Sequence, residues 1–210
     1  MGRIISNFIK AILAGICIGI GAIIYLSCAD KIIGSFLFGL GLFTIVFFGF
    51  NLYTGKVGYL IDGTTKITDL IDILFGNLIG AYGVGTVIQF TRVSPALIQG
   101  AQTLCAIKLL DNPISLLILA IFCGMLMYIA VEGKKRIENP IGQVLIIFIP
   151  VMVFILCGFE HCIANMVYFT IANAWNEQSL IALLIMIAGN SLGGMLIPLF
   201  TKITQKLDKN

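Results

Sequence analysis

The sequence predicts an all-α integral membrane protein with six transmembrane helices, the second and fifth of them broken. Three observations carry this. The 210-residue chain is 59% hydrophobic and only 11% charged, with a mean hydropathy of +1.06, where soluble chains carry about 25% charge. Its apolar residues gather into stretches of the length a membrane helix needs, about 20 residues. Polar groups interrupt two of those stretches, at Asn51–Gly55 and Gly158–His161. Backbone that leaves the helix at membrane depth is tolerated only when it is buried in protein or lines a water-filled cavity. The length fits a single transmembrane domain over residues 1–210, and no cofactor motif is present. The six cysteines show no metal-type spacing and read as small apolar residues.

The first span is Phe8 to Ser27. Met1-Gly2-Arg3 before an apolar run imitates a signal peptide, but there is no small-x-small cleavage site, so this helix is expected to be retained. The second span, Ile32 to Phe50, runs into Asn51-Leu52-Tyr53-Thr54-Gly55. A connector with Asp62, Lys66 and Asp69 leads to the third, Ile71 to Thr91. The fourth is Pro113 to Val131 and the fifth stretch Ile141 to Cys157. Cys162 to Trp175 is too short to span alone, so these last two count as halves of one broken helix. Leu180 to Phe200 closes the set.

Six spans put both termini on one side, and basic residues say which. Ten lysines and arginines fall on the terminal side (Arg3, Lys10, Lys56, Lys66, Lys134, Lys135, Arg136, Lys202, Lys206, Lys209), against Lys31, Arg92 and Lys108 on the other. The positive-inside rule makes the termini cytoplasmic, in a multi-pass protein of the cell (inner) membrane. The net charge of +3 is thus read as topology, not as nucleic-acid binding.

The chain repeats itself. Gly76-Asn77-Leu78-Ile79-Gly80-Ala81 recurs as Gly189-Asn190-Ser191-Leu192-Gly193-Gly194, 113 residues on; Ala14–Cys17 is echoed at Ala120–Cys123, 106 on; and Asn51–Thr54 maps onto Gly158–His161 at 107. Three spans per half make this an inverted repeat, about residues 8–92 and 112–203, in which two broken elements meet near the midplane and form the site. Thr54 and His161 are then expected to face one another. The Gly-Asn-x-x-Gly segments read as close helix packing, with the Asn tying neighbouring backbone. His161, the one histidine, and Glu160 are isolated in apolar sequence, which marks a functional site by default. Glu160 is expected to hold exposed backbone amides at the break. Lys108 is open between a vestibule cation and a solvated loop lysine, and Thr54 between a pore group and a helix cap.

Two other readings compete on the residues. Gly189-Asn190-Ser191-Leu192-Gly193 satisfies Gly-x-Ser-x-Gly, which with His161 as base suggests an intramembrane serine hydrolase; the sister segment carries Leu78 at the serine position, which favours packing. A neutral-solute channel shares six spans and two breaks, but its Asn-Pro-Ala signatures are absent: Asn112-Pro113-Ile114 and Asn139-Pro140-Ile141 sit at span starts.

Gly158-Phe159-Glu160-His161-Cys162-Ile163-Ala164-Asn165-Met166, together with Leu52-Tyr53-Thr54 and the two Gly-Asn-x-x-Gly segments, resembles the formate/nitrite transporter family of anion channels over essentially the whole chain. The resemblance implies an aquaporin-like protomer, a homopentamer with one pore per protomer, and passage of formate, nitrite or hydrosulfide with protons across the lipid bilayer. It makes His161 the pore histidine, Thr54 its partner, Leu52 and Tyr53 members of the same loop, Phe38, Leu42 and Phe154 apolar constriction residues, and Lys108 the lysine near the outer mouth. Tyr53 stands where the family has Phe. Gly124 stands where the family has an asparagine beside the histidine, leaving Asn165 or a water as the substitute orienting group. The chain is short for the family at both ends, so gating by an N-terminal segment is not expected.

Such a site suits weak acids. A bare anion meets a large desolvation barrier in an apolar constriction and its neutral acid a small one. An outer lysine concentrates anions, the Thr54 hydroxyl and His161 ring N–H donate to them, and imidazole exchanges protons near neutral pH.

Overall fold

A computed structural model describes residues 2–209, and every regular element among them is helical. In chain order these are α1 (Gly2–Ser27), α2 (Lys31–Phe48), α3 (Tyr53–Lys56), α4 (Ile67–Val87), α5 (Ser94–Leu110), α6 (Pro113–Arg136), α7 (Pro140–Leu156), α8 (Cys162–Ile171) and α9 (Glu177–Leu207), with 3-10 turns at Val57–Leu60 and Ile88–Phe90. Five helices are long and apolar enough to cross a membrane: α1, α2, α4 with its turn, α6 and α9. Helices α7 and α8 are shorter apolar segments.

Local chemistry sets the helix starts. Asp30 caps α2 by accepting the Ile32 and Ile33 amides. Asn112 and Asn139 cap α6 and α7, and the proline after each has no amide to leave unpaired in a first turn. Asn176 and Ser179 close a reciprocal cap on α9. Outward faces carry exposed large apolar side chains such as Phe75, Ile114, Ile141, Leu184 and Phe200, the pattern of helices that meet hydrocarbon or a neighbouring subunit instead of water.

Between the third span, ending at Thr91, and the fourth, starting at Pro113, lies a 17-residue helix, α5, that the sequence does not mark as a span. Gln99, Gln102, Thr103 and Lys108 dilute its hydropathy below what a span shows, yet it packs against α8 and buries Leu97, Ala101 and Cys105.

Helix α1 lies along α4, and α6 along α9, at backbone contact. A Cβ on Gly15 would overlap the Asn77 carbonyl, and one on Gly80 the Ile12 carbonyl; on the other side Gly124 meets the Asn190 carbonyl and Gly193 the Ile121 carbonyl. These are matched pairs, small residues letting two backbones touch. Between the halves, α2 packs against α7.

Candidate functional site

Both helix breaks are built the same way. Helix α2 stops because Gly49 turns left-handed (φ 68°), after which the Phe50 amide bonds back to the Ile45 carbonyl at 2.9 Å. Helix α7 stops likewise: Gly158 has φ 69° and the Phe159 amide reaches the Phe154 carbonyl at 2.8 Å. A glycine takes this conformation without the Cβ penalty. One buried asparagine then clamps each break. Asn77 donates to the Ala11 and Asn51 carbonyls at 2.7 and 2.9 Å and accepts the Tyr53 amide at 2.8 Å. Asn190 donates to the Ala120 and Glu160 carbonyls, both at 2.8 Å, and accepts the Cys162 amide at 2.8 Å. Unpaired backbone at membrane depth costs several kcal/mol per group; each side chain satisfies one carbonyl and one amide of its break and tethers them to a carbonyl of α1 or α6.

The bonding partners correct the register expected from sequence. Ala11 and Ala120, Asn51 and Glu160, Tyr53 and Cys162, Gly49 and Gly158 are all 109 residues apart, not 107 or 106. Matching polar letters aligned Thr54 with His161, but the structure keeps the backbone in register and lets side chains differ. The positional counterpart of His161 is Leu52: each is the residue immediately before its short helix, with φ near −100°. Thr54 is the second residue of α3.

His161 is buried, at 2% exposure, and held by two bonds. Its Nδ1 accepts the Ala164 amide at 3.1 Å, so the ring caps its own helix α8. That leaves the proton of the neutral ring on Nε2, which donates to Thr54 Oγ1 at 3.0 Å. The Thr54 hydroxyl hydrogen has no other acceptor among the described residues. Thr54 is therefore not a helix cap; Leu52 occupies that position. Phe154 lies over the imidazole at 5.6 Å between ring centroids, and Phe38 meets Phe154 edge-on at 5.8 Å. Leu42, one turn beyond Phe38, and Leu52 are buried in the same cluster. The result is one polar pair enclosed by apolar side chains.

Gly124 is not a vacancy beside the histidine. It is the counterpart of Gly15 and lies against the Asn190 carbonyl, where no side chain fits. Nor does the Asn165 side chain orient the ring: its Nδ2 donates to the His161 backbone carbonyl at 3.0 Å and to Glu160 Oε2 at 2.8 Å. The Ala164 amide does that work, a partner visible in sequence only as the third residue after a cap.

Glu160 and Lys108 also differ from expectation. Among the described residues the Glu160 carboxylate holds no backbone amides; it takes Lys108 Nζ at 2.6 Å and Asn165. Lys108 is neither loop nor free: it sits on α5 with its side chain 13% exposed against 4% for Glu160. The pair ties α5 to the second break. Asn165 Oδ1 is buried with no hydrogen-bond partner among the described residues. Tyr53 bonds Ser191 at 2.8 Å, and Ser191 in turn donates to the Ile187 carbonyl. Ser191 is thus engaged with Tyr53 and its own helix, and no hydrogen bond joins it to His161.

The family model described as formate/nitrite transporter matches residues 2–203. A formate channel FocA from Haemophilus influenzae is 27% identical over 181 residues, 76% of this chain and 64% of that protein. FocA from Escherichia coli K12 is 26% identical over 184 residues, 77% and 64% of the respective chains. The chain thus spans just under two thirds of the length of these curated relatives. A solved structure of a pentameric formate channel with formate bound superposes with a TM-score of 0.81 at 24% identity, covering 99% of this chain and 98% of that one; a second, an FNT family ion channel, gives 0.81 at 21% identity.

Proposed function

The chain belongs to the formate/nitrite transporter family, a family of channels and not enzymes, and is a multi-pass membrane protein; from that premise we propose that it passes small monovalent anions of weak acids, such as formate, nitrite or hydrosulfide, together with protons. The observation that carries the reading is the Thr54–His161 hydrogen bond at the meeting of the two breaks, enclosed by Phe38, Leu42, Leu52 and Phe154. An anion arriving there finds two donors, the Thr54 hydroxyl and His161 Nε2–H. Held by these two donors, it takes a proton delivered from solution through water, the ring staying neutral, and crosses the apolar rings as the neutral acid, for which the desolvation barrier is small. Departure of the neutral acid frees the Thr54 hydroxyl and His161 Nε2–H for the next anion.

In this reading the helices form an aquaporin-like inverted repeat over residues 8–92 and 112–203. The six spanning elements are α1, α2 with α3, α4, α6, α7 with α8, and α9. The matched clamps of Asn77 and Asn190 support that arrangement. The chain assembles as a homopentamer in the cell membrane with cytoplasmic termini, in keeping with the basic residues on that side and with the pentameric relative. Lys108 serves the outer mouth as half of an ion pair that steadies the second break.

Flux of formate, nitrite and hydrosulfide into proteoliposomes, measured against pH, tests the proposal. Uptake should rise as external pH falls, and His161→Ala should abolish that dependence. Unchanged pH-dependent uptake in the variant refutes the role given to His161. Osmotic shrinkage without any anion flux refutes the anion pathway.

A further inference from the structure

At the terminus-bearing end of the pathway a recess of about 190 Å³ opens below the first break. Its lining includes Leu52 and Gly55 of the break, then Lys56, Lys134 and Lys135. Among the described residues no acidic side chain lines it. The carboxylate that approaches this cluster, Glu132, lies 3.8 Å from Lys135 and is already committed to Arg136 at 2.9 Å and the Tyr59 hydroxyl at 2.7 Å. Lys56, at intermediate burial beside Gly55, has no hydrogen-bond acceptor and no ion-pair partner among the described residues. Lys134 faces only the Phe47 ring, at 4.9 Å.

Three lysines line the recess, Lys135 with its Nζ on the Tyr59 hydroxyl at 2.6 Å, and their summed charge exceeds what a monovalent ion needs. Attraction scales with the product of charges, so an anion of charge two or three gains correspondingly more here than formate does. The same ion cannot continue past Leu52, because the cost of leaving water climbs steeply with charge and a single proton does not neutralise it. The volume holds a tetrahedral oxoanion with a few waters of about 30 Å³ each.

We propose that this recess binds a multivalent oxoanion of the phosphate type, which seats against Leu52 and blocks the pathway from the side bearing the termini. The blocking half rests on the transport reading above; the binding half does not.

Two measurements on the full chain test it. Phosphorus NMR titration of the detergent-solubilised protein with inorganic phosphate and pyrophosphate reads binding, and formate flux from proteoliposomes with those ions on the terminus-bearing side reads block. Binding should saturate and weaken with added salt. Lys56→Gln and Lys134→Gln should each weaken it about tenfold, the loss of one charge-assisted contact. The ratio of formate flux with and without phosphate should rise toward one in both variants. Binding unchanged in the double variant overturns the site, as does equal inhibition by potassium chloride at matched ionic strength. Saturable, lysine-dependent binding without formate flux under any condition supports the site and removes the transport reading. Formate flux without phosphate binding does the reverse.

Discussion

The two helix breaks share a scaffold and differ in chemistry. Each is a left-handed glycine, a backbone amide folded back onto the preceding helix, and an asparagine from a distant helix holding three backbone groups. At the residue just before the short helix, the first break carries Leu52 and the second His161. A leucine there can only pack, whereas the histidine ring caps its helix through Nδ1 and still has Nε2–H for Thr54. The scaffold solves one problem twice, satisfying backbone at membrane depth. Only the second places a hydrogen-bonding ring at that position.

That comparison can be broken at its shared part first. Asn77→Ala and Asn190→Ala each orphan two buried backbone groups worth about 1–3 kcal/mol apiece and drop a third bond to a helical carbonyl, so both should lose several kcal/mol in thermal unfolding in detergent. A difference between them much larger than about 1 kcal/mol would end the equivalence of the clamps. Next comes the feature found only at the second break. Lys108→Ala strands the buried Glu160 carboxylate and should cost about 3–5 kcal/mol, while the double change Lys108→Met with Glu160→Gln should recover much of it. Equal loss in both would mean that packing, not charge, holds α5.

Gly124→Asn restores the family's residue, but its Cβ overlaps the Asn190 carbonyl. It should destabilise by about 1–3 kcal/mol or more instead of improving the histidine site; a stable variant with altered pH dependence of flux would reopen the earlier expectation. The smallest effect belongs to the first break. Tyr53→Phe removes the bond to Ser191 and should cost about 1 kcal/mol, leaving pH dependence intact because His161 and its two partners are untouched.

Much of this was readable along the chain. The membrane class followed from hydropathy, the breaks from polar letters inside apolar runs, and the importance of Gly-Asn-x-x-Gly from its recurrence. Helix α5 was missed because its glutamines and lysine lower the hydropathy of a helix that buries Leu97, Ala101 and Cys105 and packs against α8. The register was missed by two residues because likeness of side chains was compared, whereas the conserved quantity is which carbonyls and amides the asparagines hold.

The sequence by itself determined that this chain lives in a membrane, where its helices give way, and that His161 sits at one of those places. Those facts are one-dimensional: burying charge or unpaired backbone in hydrocarbon is costly whatever the neighbours are. Tertiary structure alone decided what touches what. It turned Gly124 from a missing ligand into a packing necessity, gave Lys108 to Glu160, and set Nδ1 of His161 on its own helix so that Nε2 meets Thr54. Hydrogen bonds act over about 3 Å, and no spacing along a chain specifies which groups come that close.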